Sequence, residues 1–306
     1  MLPRLTPTPL PPIAPSVGEP VPLDDVLALA TRRVRWALAP GLRVRRAWAW
    51  DPADQHDLEW WPQGITCSAD ADRTDDLLLV SWYSKHGAGV RITVLDRSTR
   101  RYVHVPLALP TSDGTLAPLP VHAGGLLWRG PWLYIAATGR GCYVAHLDDL
   151  RRQPDSAGGD LIWPVRFRYT ADDGMRYSFL SLTDGGELLA GEYGREQQPT
   201  RLVRFALAQD GLLVTGPDGA ATAVGVNVGV RQMQGAVRRG GRFFATVSQG
   251  TRRPGSLFTG EPGALHRHRF ATPIGPEDLT WSDGLLWSVS EHPRRRWIYA
   301  LKPPRG

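Results

Sequence analysis

The chain has 306 residues, 42% of them apolar and 22% charged, which excludes wholesale disorder and suits one large domain or two small ones. Its formal charge of +6 is almost all arginine, since lysine stands only at Lys85 and Lys302. The arginines are interspersed with aspartates and no nucleic-acid module is present, so the charge reflects either a GC-rich coding sequence or recognition of small anions, with nucleic acid excluded as a partner.

Glycine (33), proline (27) and 12 tryptophans point to short strands and tight turns. Cys67 and Cys142, the two cysteines, make neither a disulfide framework nor a zinc site. The N-terminal stretch lacks the apolar core of a signal peptide, and no run of about 18 apolar residues occurs. The expected setting is therefore the cytoplasm, with no membrane partner.

Residues 1–22 hold eight prolines and read as an extended arm, draped over its own domain or over a protein partner. Residues 23–41 read as one amphipathic helix. Asp24 or Asp25 caps its start, Leu27, Ala30, Val34 and Leu38 share a face, and Pro40–Gly41 ends it.

From residue 42 onward the apolar period is two, with frequent turn signals. A hairpin pattern recurs in "QGITCSADADRTDDLLLVSWYSK", "GGLLWRGPWLYIAATGR", "SFLSLTDGGELLAGEYGR", "QGAVRRGGRFFATVSQG" and "EDLTWSDGLLWSVSEHP". Copies start about 43 to 61 residues apart, the length of one four-stranded propeller blade. A third strand follows each hairpin, at 90–96, 142–148, 200–207, 255–260 and 296–302. A fourth follows the first four copies, at 102–109, 161–169, 221–228 and 265–271. The last copy runs out of chain, and "LRVRRAWAW" (42–50) fits as its missing outer strand.

These repeats resemble the β-propeller superfamily in a five-bladed form over residues 42–306. The resemblance implies an all-β fold of four-stranded blades, closed by an N-terminal strand. It also implies a central channel lined by the first strand of each blade, and leaves function open. On that register the strand starts present Trp61 and Gln63, then His122, then Tyr177, then Gln232 and Gln234, then Glu277 and Asp278. Tyr83 and Tyr193 end equivalent second strands. Lys85, Arg140 and Arg195 follow them at one offset, with Arg252 and Arg294 slightly later.

His122 fits either a general acid–base or a structural histidine. Glu277 and Asp278 point to opposite faces of one strand, so one faces the channel while the other bonds backbone. The site residues expected are His122, Glu277 and Asp278 as catalytic groups. Trp61, Gln63, Tyr83, Arg140, Tyr177, Tyr193, Arg195, Gln232 and Gln234 are expected to hold the ligand, with no metal and no cofactor.

Two function classes remain. One is an enzyme of the lyase, cyclase, isomerase or hydrolase type, working by proton transfer on an anionic or polar metabolite. The other is a non-catalytic propeller, either a lectin-like binder or a scaffold. Five-bladed glycosidases present carboxylates from three inner strands, and blades two to four here offer none, which counts against that narrower reading. An open channel holding His122 and a carboxylate favours the enzyme. A channel filled by Trp61, Tyr177 and Phe179 favours the scaffold.

Overall fold

The computed structural model describes residues 2–153, 160–171 and 174–304; Met1 of the expected arm and Arg305–Gly306 at the end of the expected repeats lie outside them. Stretches such as "LLLV" show why strands dominate. Leu77 and Leu79 join one buried cluster while Leu78 and Val80 join another. Neighbouring residues on a strand point to opposite faces, so such a run buries both faces of its sheet.

The elements used below, in chain order, are β1 (Arg4–Pro9), α1 (Leu23–Ala28), β2 (Val44–Ala49) and α2 (Pro52–His56). A first antiparallel run follows: β3 (Trp60–Cys67), β4 (Leu77–Ser84), β5 (Val90–Asp96) and β6 (Arg101–Pro110). The next is β7 (Leu126–Arg129), β8 (Trp132–Ala136), β9 (Cys142–His146) and β10 (Leu161–Ala171). A short parallel contact, Trp163 beside Leu107, joins β10 to β6, so these two runs count as one larger sheet.

Separate sheets contain β11 (Phe179–Leu182), β12 (Glu187–Gly191), β13 (Arg201–Ala206) and β14 (Gly225–Val228), then β15 (Met233–Arg239), β16 (Arg242–Val247), β17 (Ser256–Glu261) and β18 (Ala264–His268). The last sheet has β19 (Pro276–Ser282), β20 (Leu285–Ser290) and β21 (Trp297–Leu301), and β2 pairs with β21 as its next strand, Ala47 opposite Tyr299.

Turn chemistry sets the hairpins. Ser282 pairs with Leu285 across Asp283–Gly284, whose φ angles are 54° and 72°. Two consecutive positive φ values make the two-residue turn that matches strand twist, and Asp-Gly adopts it at little cost.

The first strands of successive runs meet at a hub. Gly64 of β3 lies against Gly125, just ahead of β7, and Gly125 lies against Leu180 of β11. Ser181 of β11 donates to the Ala236 carbonyl of β15 at 2.6 Å, and Gly235 of β15 lies against Asp278 of β19. Asp278 Oδ2 accepts from the Ile65 N–H of β3 at 3.1 Å, which returns the circuit to its start. Sheets that radiate from a closed circuit of inner strands, packed face to face, are the arrangement of a β-propeller.

Of the expected arm, Arg4–Pro9 lies on its own domain as a strand, antiparallel to β10, with Leu5 opposite Ala171 and Pro9 opposite Phe167. Pro7 and Pro9 are two apart, so their missing N–H groups fall on one edge, and Leu5 is fully buried. The helix stops at Ala28 rather than running to Leu38. Beyond it Arg32–Arg33 pairs with β6, and the Val34 N–H donates to Arg100 at 2.9 Å, so sheet bonding replaces helical bonding. No helix among the described residues is long and apolar enough to cross a membrane.

Candidate functional site

At one end of the hub lies an open cavity of about 330 Å³, lined by Gln63, His122, Gly124, Thr138, Ser178, Tyr193, Arg195, Gln234, Glu277 and Glu291. Inner strands supply Gln63, Gln234 and Glu277, and loops at their ends supply the rest. Among the described residues no group of three or more His, Cys, Asp or Glu is disposed to hold a metal ion.

Glu277 and Glu291 set the electrostatics of one wall. Burial, then the neighbouring Glu291 and Asp278 carboxyls, pushes Glu277 well above its ordinary value near 4.5, and Lys85 offsets only part of this. Burial also raises Glu291, against Lys85 and a hydrogen bond from Gln63. That bond runs from Gln63 Nε2 to Glu291 Oε2 at 3.2 Å, while the same amide donates to the Pro62 carbonyl at 2.9 Å.

His122 forms another wall. Its ring stacks on Tyr83 with centroids 4.3 Å apart and planes 29° apart. The surrounding protein, then the Lys85 ammonium, lowers it to about 4, so the ring is neutral at pH 7. Exposure to solvent through the cavity mouth moderates this shift. Lys85 donates to the Tyr83 hydroxyl and lies 4.0 Å from the centroid of the Trp61 ring. The Trp61 indole N–H is used on the Leu58 carbonyl at 2.9 Å. Trp61 and Tyr83 thus act behind the cavity, one through Lys85 and one through His122.

A third wall is basic. Arg195 Nε donates to the Tyr193 hydroxyl at 3.1 Å, which fixes both side chains at the rim.

The remaining expected residues stand elsewhere. Asp278 is fully buried beneath the cavity; its Oδ2 accepts from the Ile65 and Leu126 N–H groups, each at 3.1 Å, so it ties inner strands together instead of meeting a ligand. Tyr177 is fully buried in an apolar cluster, tilted against Phe205 at 6.4 Å. Arg140 is exposed outside the cavity, its N–H closing a turn to Ala137 at 2.8 Å. Gln232, also exposed, holds a left-handed φ of 61° and donates its N–H to Gly194. Of the rim cations only Arg195 lines the cavity; Arg252 and Arg294 face solvent. Phe179, a suspected plug, packs against Gly191 inside its own sheet.

Glu291, Thr138 and Ser178 were missed. Glu291 and Thr138 follow second strands, in the loops equivalent to the one that supplies Tyr193 and Arg195. Their signal was the equivalence of "SEHP" and "ATGR" to "WYSK".

No protein-family model and no curated protein matches the chain. Solved structures overlap it loosely. A gluconolactonase from Xanthomonas campestris is 15% identical, with 96% of this chain and 90% of that one covered at a TM-score of 0.40. The Cps50 (Swd1) β-propeller domain from Myceliophteria thermophila is 11% identical over 89% of this chain and 100% of that one, TM-score 0.42. A β-xylosidase is 9% identical over 81% and 94%, TM-score 0.38. Overlaps this loose leave the chemistry of the cavity to be read from its own residues.

Proposed function

We propose that the chain is a five-bladed β-propeller enzyme that binds one small polar or anionic metabolite at its hub and acts on it by proton transfer. The five antiparallel runs are its blades, and β2 closes the ring. The observation that carries the reading is one open cavity faced by the Glu277 carboxyl, raised by burial and its carboxyl neighbours, and the His122 imidazole, lowered by burial and Lys85. Groups whose environments push their pKa values apart divide into acid and base. Glu277 is the proton donor, with Glu291 sustaining its raised pKa. His122 is the acceptor. Gln63, Gln234 and Ser178 offer hydrogen bonds that orient the ligand, and Arg195 attracts an anionic group on it.

The proton leaves Glu277 for an oxygen of the substrate as charge builds there, while His122 takes a proton from carbon or from a hydroxyl. Lyase, cyclase, isomerase and hydrolase outcomes share this exchange. A cavity of this volume fits a small metabolite, and the asymmetry of its walls favours one central ligand over repeated lectin sites.

A thermal-shift screen with hydroxy acids, sugar acids, lactones and sugar phosphates tests the reading, followed by NMR of each stabilising compound for turnover. A compound that stabilises the protein, is consumed, and is neither bound nor consumed by both His122→Ala and Glu277→Gln supports it. Stabilisation without turnover would leave a binder; no stabilisation by any compound would return the chain to a scaffold.

A further inference from the structure

A second feature lies away from the cavity. Arg35–Trp36 pairs with Trp48–Ala49, and the Ala37 N–H donates to Ala47, so the segment from Arg35 to Ala49 is a hairpin. Its tip carries Leu38 and Leu42, exposed by 98% and 76%. The Leu42 N–H donates to the Phe270 carbonyl at 2.8 Å, which brings a third apolar side chain, 51% exposed, beside the tip. Trp36, 60% exposed, sits on the shoulder with the Arg46 and Arg100 guanidinium groups each 5.7 Å from its ring.

The two segments that build this tip carry charge of one sign. Residues 26–50 and 262–275 contain no aspartate or glutamate. Arg35, Arg45, Arg46, Arg267 and Arg269 are exposed there, and none forms an ion pair among the described residues. Arginines that look scattered along the sequence are gathered by the pairing of β2 and by the bond to Phe270. Scattered surface leucines are ordinary, but clustered apolar tips inside an unopposed basic field mark a contact surface.

We propose that this hairpin tip docks the protein onto an anionic lipid surface, with Leu38, Leu42 and Phe270 entering the headgroup boundary and the arginines meeting lipid phosphates. Convex leucines suit a fluid partner that closes around them, whereas a folded protein would need a matching recess. A second copy of the chain would set one acid-free basic patch against another. An indole on the shoulder, faced by guanidinium groups, suits the level of the headgroups. The expectation of no membrane partner rested on the lack of a spanning segment, which does not bear on a surface contact.

Co-sedimentation of the full chain with phosphatidylcholine vesicles, with and without phosphatidylglycerol, is the test. Binding to the anionic vesicles alone, weakened by added salt, is expected. Arg45→Ala with Arg46→Ala should weaken it about thirtyfold, since each such residue contributes about a fivefold preference for an anionic surface. Leu38→Ser with Leu42→Ser should abolish sedimentation while unfolding at the same temperature, because both side chains are already in water. Failure to sediment with either vesicle, or sedimentation indifferent to the leucine substitutions, would overturn the proposal. So would a dimer in solution dissolved by those substitutions, or capture of poly-glutamate in place of vesicles.

Discussion

At the residue scale, Glu277 and Asp278 are adjacent carboxyls with opposite duties, and stability measurements separate them. Glu277 has a raised pKa in the fold, so its contribution is fully present below its ordinary value near 4.5 and is lost as pH climbs toward the raised value. Glu277→Gln lacks that loss. The melting temperature of the variant minus that of the natural protein should therefore grow from about pH 5 to about pH 8. A difference flat with pH would show that the carboxyl is not held protonated. Asp278→Ala instead orphans the Ile65 and Leu126 N–H groups, at about 1–3 kcal/mol each. Denaturant titration should report a loss of about 2–5 kcal/mol for Ala and a smaller one for Asn, which keeps an acceptor; equal losses would mean the two bonds contribute nothing. Strand alternation showed from sequence alone that one of the pair would bond backbone. Which one depends on the register of β19 against β3, set by packing between distant segments.

Elements were legible where local chemistry decides them. Asp283–Gly284 and Gly240–Gly241 announce hairpins because few other residues accept two successive positive φ angles. Beyond Ala28 the chain leaves the expected helix because its periodicity is weak and its bonding partners are remote. Leu27, Ala30, Val34 and Leu38 fit a helical face, yet the backbone around Val34 finds β6 instead. Alternating prolines suggest an extended arm, and they also suit a strand edge that needs no N–H donors. Leu5 tests this: buried in one cluster with Leu127, Tyr134 and Tyr169, it should cost about 2–5 kcal/mol as Leu5→Ala. A loss below about 0.5 kcal/mol, the range of ordinary surface changes, would mean that β1 does not pack.

For the molecule as a whole, the order of strands followed from repeat length and from a final copy one strand short. The cavity's depth did not, because it depends on Tyr177 and Phe179 turning away from the hub. Close inner contacts such as Gly125 against Leu180 leave no room for a side chain, and every run relies on its neighbours. Closure through β2 should therefore be required for folding. A chain beginning at Asp51 leaves the edge of β21 unpaired and should elute from size-exclusion as aggregate; a stable monomer would show that the ring holds without its seal.

That seal also imposes a schedule on biosynthesis. Ala47 leaves the ribosome about 250 residues ahead of Tyr299, its partner. At about 5–20 residues per second the wait is roughly 10–50 s, during which β2 lacks its partner on the β21 side. A cell making this protein must shelter β2 until β21 arrives.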